Sequence, residues 1–311
     1  MINRILIRLK VAQIVYAYYQ NGGKNPAAAE KELMFSISKA YDLYFMLLML
    51  VTEVTEQASR KLIIASEKHR PTAEDLNPNR KFADNKFAAQ VAANKSLHEF
   101  VSRQKKTWSD HQEFIKRLTD DILNSDIYKE YMEAEGTSYE EDREVWRKLY
   151  KQFIEENESL DDILEDISLY WNGDKEIVDS FVIKTIKRFK PENGPDQELL
   201  PMFRDEEDHE YASELLMKTL ENADYYRHLI DSSLKNWELK RVTLFDRLIL
   251  QIAIAEMLTF PDIPVSVTIN EYVDLAKHYS TPRSGGFVNG TLDGIARRLE
   301  ADKKLVKNTK K

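Results

Sequence analysis

From residue 27 to residue 70 the chain contains neither glycine nor proline, and the same is true from 79 to 135 and from 202 to 260. Strand-and-turn folds need turn residues roughly every 8–12 positions. Segments this long without the usual turn residues must therefore run as helices joined by few tight turns. With nine glycines and nine prolines in 311 residues, the expectation is an all-α protein. A chain of this length can form two or three compact units. Its 42% hydrophobic and 32% charged residues fit a soluble globular protein rather than a disordered one.

Apolar residues recur at three- and four-residue steps over 3–20, and Gly22 and Gly23 form a stop signal. Asn25 and Pro26 open a second helix, expected to reach about 68, before Pro71. A loop over 71–87 with a short helical piece precedes helical patterns at 86–105, 109–124, 126–134, 139–156, 159–170 and 174–189, and 190–202 reads as a linker with three prolines. The spacing predicts one long helix over 205–236. The next, 242–258, is apolar on nearly every face, as in the buried centre of a bundle. Two more follow, 265–279 and a final one after Pro282.

Several function classes are excluded or unsupported. Without cysteine there are no disulfides, thiolate zinc sites or cysteine nucleophiles. The longest apolar run, LYFMLLMLV at 43–51, has nine residues where a membrane span needs about 20. No signal-peptide pattern opens the chain, so a cytoplasmic protein without membrane contact is expected. No Gly-rich phosphate loop, His-Glu-x-x-His helix or nucleophile elbow is present, and the six histidines lack ligand spacing. No catalytic residue, metal ligand or cofactor is expected.

Net charge is −8, but unevenly spread. The first twenty residues carry Arg4, Arg8 and Lys10 and no acid. Residues 297–311 carry seven basic and two acidic groups, whereas 107–180 hold 22 acidic and 8 basic ones. Arg4 and Arg8 share a helical stripe and could meet phosphates or simply face solvent. Tyr16, Tyr18 and Tyr19 could stack on bases or fill a core. Four of the nine glycines cluster at 285, 286, 290 and 294. Gly290 and Gly294, one turn apart, suggest close approach of a neighbouring helix. Gly285 and Gly286 suggest a turn with positive φ. The result would be a tightly packed helix entry presenting Arg283 and Phe287, with Asn289 in the first turn.

Residues 241–299 carry an ordered set of short motifs: Glu256-Met257, Ile263-Pro264, Ile269-Asn270-Glu271, Leu275-Ala276-Lys277 and Phe287-Val288-Asn289-Gly290. This pattern resembles the C-terminal half of the NusB transcription antitermination family. The first helix, with Arg8, Gln13 and Tyr16, is similar to the family's first helix, and 208–236 to its third. The resemblance implies a pair of three-helix bundles, here with a large helical insertion. The parts are then 1–65, an acidic insertion 66–205, the rest of the fold at 206–300, and a basic tail 301–311.

By the same resemblance, the function implied is antitermination and ribosomal RNA transcription. The partners would be single-stranded boxA-type RNA, held jointly with the NusE ribosomal protein, and the RNA polymerase elongation complex. Carried over residue by residue, Arg4, Arg8, Lys10, Arg283, Phe287 and Asn289 are the RNA-facing candidates. Tyr16 and Asp246 fall where the family meets its ribosomal partner. This chain departs from the pattern at Ile5, Leu6 and Ile7, where arginines are usual, at Gly286, where a basic residue is common, and in its insertion. The alternative is therefore a protein–protein scaffold with this fold and weak or no RNA binding. Some NusB-like domains are fused to RNA methyltransferases, but no Gly-rich βα unit supports that here.

Overall fold

The computed structural model describes residues 2–104, 107–136, 138–234 and 242–308. Among these residues there is no β-strand, only an isolated parallel bridge between Ile2 and Phe203. Fifteen α-helices carry the described residues. The first two are α1 (Arg4–Gln20) and α2 (Pro26–Ser66). Then come α3 (Ala73–Leu76), α4 (Lys86–Ala92), α5 (Lys95–Arg103), α6 (Gln112–Leu123), α7 (Asp126–Glu133), α8 (Tyr139–Phe153), α9 (Glu158–Ile167) and α10 (Lys175–Arg188). The last five are α11 (Glu206–Glu221), α12 (Ala223–Ser233), α13 (Leu244–Thr259), α14 (Val265–Tyr279) and α15 (Ser284–Ala301).

Local chemistry sets the boundaries. Asn3 caps α1, its side chain accepting from the Leu6 amide at 2.9 Å. At the other end Gly22 (φ +84°) and Gly23 (φ +62°) adopt the left-handed conformation that ends a helix. The Gly23 amide returns to the Tyr18 carbonyl at 2.9 Å. Two expected continuous helices are split at asparagines. Asn94 ends one helix and caps the next, accepting from the Leu97 amide at 3.1 Å and donating to the Gln197 carbonyl at 2.8 Å. Such side-chain bonds compete with the backbone ladder. Asn222 leaves helical geometry (φ −104°, ψ 20°) and divides the expected 205–236 helix into α11 and α12. The expected ends at 105 and 236, and Lys310 and Lys311 of the basic tail, lie outside the described residues.

The chain forms two compact units. One is Ser38–Met202; the other combines Ile2–Ile37 with Phe203–Lys311. The division thus falls inside α2 and not at its end near residue 65. In the Ser38–Met202 unit, Leu43, Leu47, Leu50 and Val54 repeat at helical spacing along α2 and are fully buried. The indole of Trp108 donates to the Met46 carbonyl at 2.8 Å, and the hydroxyls of Tyr44 (α2) and Thr185 (α10) lie 2.7 Å apart. By length and apolarity α2 could cross a membrane, yet 67% of its most apolar window is buried inside the fold. Its apolarity is that of a core helix.

The second unit is built around α13, which packs against α1, α11, α12, α14 and α15. Every residue from 248 to 257 is buried, Gln251 and Glu256 included. The all-round apolar sequence requires this placement. Gln251 is satisfied by donating to the Thr219 carbonyl and the Tyr19 hydroxyl, at 2.9 and 2.8 Å.

Candidate nucleic-acid and partner interface

The candidate residues on α1, α13 and α15 all belong to the second unit, and the structure treats them very differently. Arg8 is buried, with 3% of its surface exposed. Its guanidinium donates to both carboxylate oxygens of Glu256, at 2.8 and 3.0 Å, and to Glu271 at 3.2 Å. Glu256 also accepts from Thr268 Oγ1 at 2.7 Å, from the Tyr272 hydroxyl at 3.2 Å and from the Tyr211 hydroxyl. One buried carboxylate thereby gathers donors from α1, α11 and α14. Burial works to raise the Glu256 carboxyl. The hydrogen bonds and charge of Arg8, with the Tyr211 and Thr268 hydroxyls, outweigh it and hold the group below its ordinary range. Burial pushes Tyr211 and Tyr272 well up, reinforced by the Glu256 charge. This network makes Arg8 a structural cation.

The other two cations of α1 are held differently, and the expectation for Lys10 is corrected. Lys10 is fully buried, so it does not present its ammonium to a phosphate. Arg4 is partly buried and tied to α11, donating to Asp208 at 3.1 Å and to Glu207. It also sits 4.8 Å from the centroid of the Tyr211 ring. At the family's arginine positions this helix buries Leu6 and Ile7 and exposes Ile5, 44% accessible. The side of α1 expected to face RNA is in large part the side that closes the core.

The start of α15 is open instead. Arg283 and Asn289 are exposed, and Phe287 is half-buried. Among the described residues Arg283 has no carboxylate partner. Gly286, Gly290 and Gly294 follow at four-residue steps on an exposed face, and a Cβ added to any of them would meet nothing within 4 Å. The expected close helix packing at Gly290 and Gly294 is therefore overturned. The expected positive φ at Gly285 and Gly286 is absent as well. Among the four α15 glycines, close approach occurs only at Gly285: a Cβ there would lie 2.8 Å from Lys277 Cγ, where α14 and α15 pack together.

Tyr16 is exposed, 41% accessible. Asp246 is not: it is 4% accessible, in the first turn of α13. One of its carboxylate oxygens, Oδ2, accepts from Ser284 Oγ at 2.9 Å, joining the starts of α13 and α15, while Oδ1 has no hydrogen-bond partner among the described residues. Close by in sequence, Leu244 is exposed and helps line a cleft of about 280 Å³ floored by Ile230 and Leu248, with Tyr19, Arg227 and Arg247 on its walls. Among the described residues no group of His, Asp and Glu could hold a metal ion.

The Glu256 network is the feature that spacing and composition alone did not reveal. Its signal was present: a lone glutamate inside an otherwise apolar helix has to find a buried cation. Neither the partner nor its distance along the chain could be read from that signal.

Comparison with known proteins agrees with this architecture. The NusB family model matches residues 184–297. The Transcription antitermination protein NusB of Salinibacter ruber is 33% identical over 132 residues, 40% of this chain and 82% of that relative. Proteins of the same name from Dictyoglomus turgidum and Dictyoglomus thermophilum are 47% identical over 92 residues and 51% over 84. Those matches take in 28% and 26% of this chain and 64% and 58% of the two relatives, less than two thirds of either. No solved structure matches. An all-helical unit centred on α13, the ordered motifs along α13 to α15, and a relative matched over most of its length together place the chain in the NusB family.

Proposed function

We propose that this protein acts in transcription antitermination as a binding factor, without catalysis, in the cytoplasm where nascent RNA is made. In this reading it holds single-stranded boxA-type RNA jointly with a NusE-type ribosomal protein and delivers both to the RNA polymerase elongation complex. The observation that carries the proposal is the open start of α15. An exposed cation, Arg283, sits one turn from the half-buried ring of Phe287, with Asn289 exposed and the backbone bare at Gly286 and Gly290. Single-stranded RNA is held through phosphate charge, stacking and amide hydrogen bonds, and these residues supply one of each. Exposed Tyr16 and exposed Leu244 suit a protein partner that brings an apolar surface.

A second reading is favoured by the fate of the α1 cations. With Arg8 and Lys10 buried and Arg4 paired, few charges remain for phosphate, and a scaffold that binds proteins without RNA becomes the alternative. Fluorescence anisotropy of a boxA-type RNA, with and without the NusE-type protein and at two salt concentrations, separates the two. Tighter, salt-dependent binding with both proteins present supports joint recognition. No gain over the ribosomal protein alone supports the scaffold.

A further inference from the structure

The Ser38–Met202 unit contains a groove that nothing in the antitermination reading uses. It measures about 450 Å³ and lies between α7 and α8. Its α7 wall is Ile127, Glu130, Tyr131 and Ala134, spaced as one helical face, and its α8 wall includes Glu140, Glu144, Val145 and Lys148, again one face. The floor is apolar and braced from behind by hydrogen bonds. Tyr131 donates to Asp142 Oδ1 at 2.5 Å, and Asp142 Oδ2 accepts from the Lys86 amide at 2.8 Å. Asn85 donates to the Asp142 carbonyl at 3.0 Å.

The rim is acidic. Glu130 and Glu140 are exposed and have no salt-bridge partner among the described residues; Glu141 adds a third charge while capping α8 through Ser138. Glu144 is shared with Arg147, whose Nε lies 2.7 Å away. Nucleic acid is repelled from such a surface. A cation, by contrast, is already seated there. Lys81 Nζ stands 4.6 Å from the centroid of the Tyr131 ring and donates to the Ala134 carbonyl at 2.7 Å, at the electronegative end of α7. The floor ring and the helix end thus hold a lysine in the way an incoming lysine or arginine would be held.

We propose that this groove docks a lysine- or arginine-bearing amphipathic helix of a protein partner. Its apolar stripe would rest on half-exposed Ile127, above the buried Tyr131 and Val145, and its cations would lie between the glutamates of the two walls. From Glu140 to Lys148 the α8 wall runs about 12 Å, enough for roughly two turns of a bound helix. The proposal is independent of RNA binding by the other unit.

The test uses the full chain and a fluorescein-labelled amphipathic peptide with lysine on one stripe and leucine on the other, followed by anisotropy. The peptide is expected to bind in a salt-sensitive manner. Glu130→Lys with Glu140→Lys should weaken binding about tenfold, as charge reversal at a charged interface does. The same charge change on α9, Glu158→Lys with Asp162→Lys, should leave it unchanged. Lys148→Glu, which removes the rim's exposed cation, should tighten it, and this holds the proposal to account even if the double reversal disturbs folding. No binding overturns the proposal. So do equal losses in both double variants, which would indicate diffuse acidity, and equal binding of a peptide with glutamate in place of lysine.

Discussion

The guanidinium of Arg8 and the carboxylate of Glu256 face each other through two hydrogen bonds of 2.8 and 3.0 Å, both side chains buried and 248 positions apart in the chain. Removing one member of such a pair leaves the other buried and uncompensated, which costs about 3–5 kcal/mol. Arg8→Ala is expected to fall in that range in urea unfolding. Its RNA affinity, measured on the fraction that remains folded, should be unchanged. A stable Arg8→Ala protein with selectively lost RNA binding would return this residue to the phosphate-contacting role.

Glu256 also sets an acid limit. Its carboxyl lies below the ordinary value of 4.5 when folded, so the stability it contributes is fully present above that value. That stability is lost as pH falls through the lower, folded value. Thermal melting of the wild type should therefore drop in the acid range below about 4.5, and Glu256→Gln, already weakened at neutral pH, should lack that part of the drop.

Asp179 on α10 has the opposite sign. Burial pushes its carboxyl up to about 6 from 3.8, against the pull of Lys175 and the Tyr150 hydroxyl. Between those two values the folded state holds a proton that the unfolded state has released. Stability from this group is greatest in acid and declines as pH rises toward 6. Hydrogen exchange in α8 and α10 should slow between pH 7 and 5 beyond its intrinsic pH dependence, and Asp179→Asn should abolish the excess.

The α15 glycines separate cleanly. Gly290→Ala meets no neighbour and should stabilise the protein by about 1 kcal/mol through helix propensity. At Gly285 the new methyl would collide with Lys277 Cγ, so Gly285→Ala should fail to gain that amount and instead destabilise. Chemical denaturation of the two variants decides the matter. A stabilised Gly285→Ala would show that Lys277 yields.

For RNA, Arg283→Ala should lower affinity and reduce the slope of log K against log salt by about 1, the signature of one lost phosphate contact. Phe287→Ala should weaken binding by about 1–3 kcal/mol if the ring stacks on a base, with little change in slope. A Phe287→Ala loss matched by an equal loss of folding stability would assign the ring to the core.

Much of the fold is legible in sequence because helices announce themselves locally. The α13 run shows its burial in its own residues, and Gly22, Gly23, Asn25 and Pro26 mark where α1 ends and α2 starts. What spacing withholds is which face of a helix looks inward. Arg4 and Arg8 lie on one stripe of α1 whether that stripe meets solvent or Glu256, and the deciding partner is remote in sequence. The same ambiguity misassigned Gly290 and Gly294. Two small residues a turn apart permit close approach, but only the tertiary arrangement decides whether anything approaches, and here it places them on the outside.

The helix Pro26–Ser66 supplies Leu33 and Ile37 to one core and Leu43, Leu47 and Leu50 to the other. A shorter version of this protein therefore cannot be made by trimming a surface loop. Any excision of the Ser38–Met202 unit has to sever a continuous helix, and the new terminus would need a stop signal for carbonyls that the uninterrupted ladder now satisfies. The two units share one helix, so gene-level shortening would have to redesign a helix end as well as remove a unit.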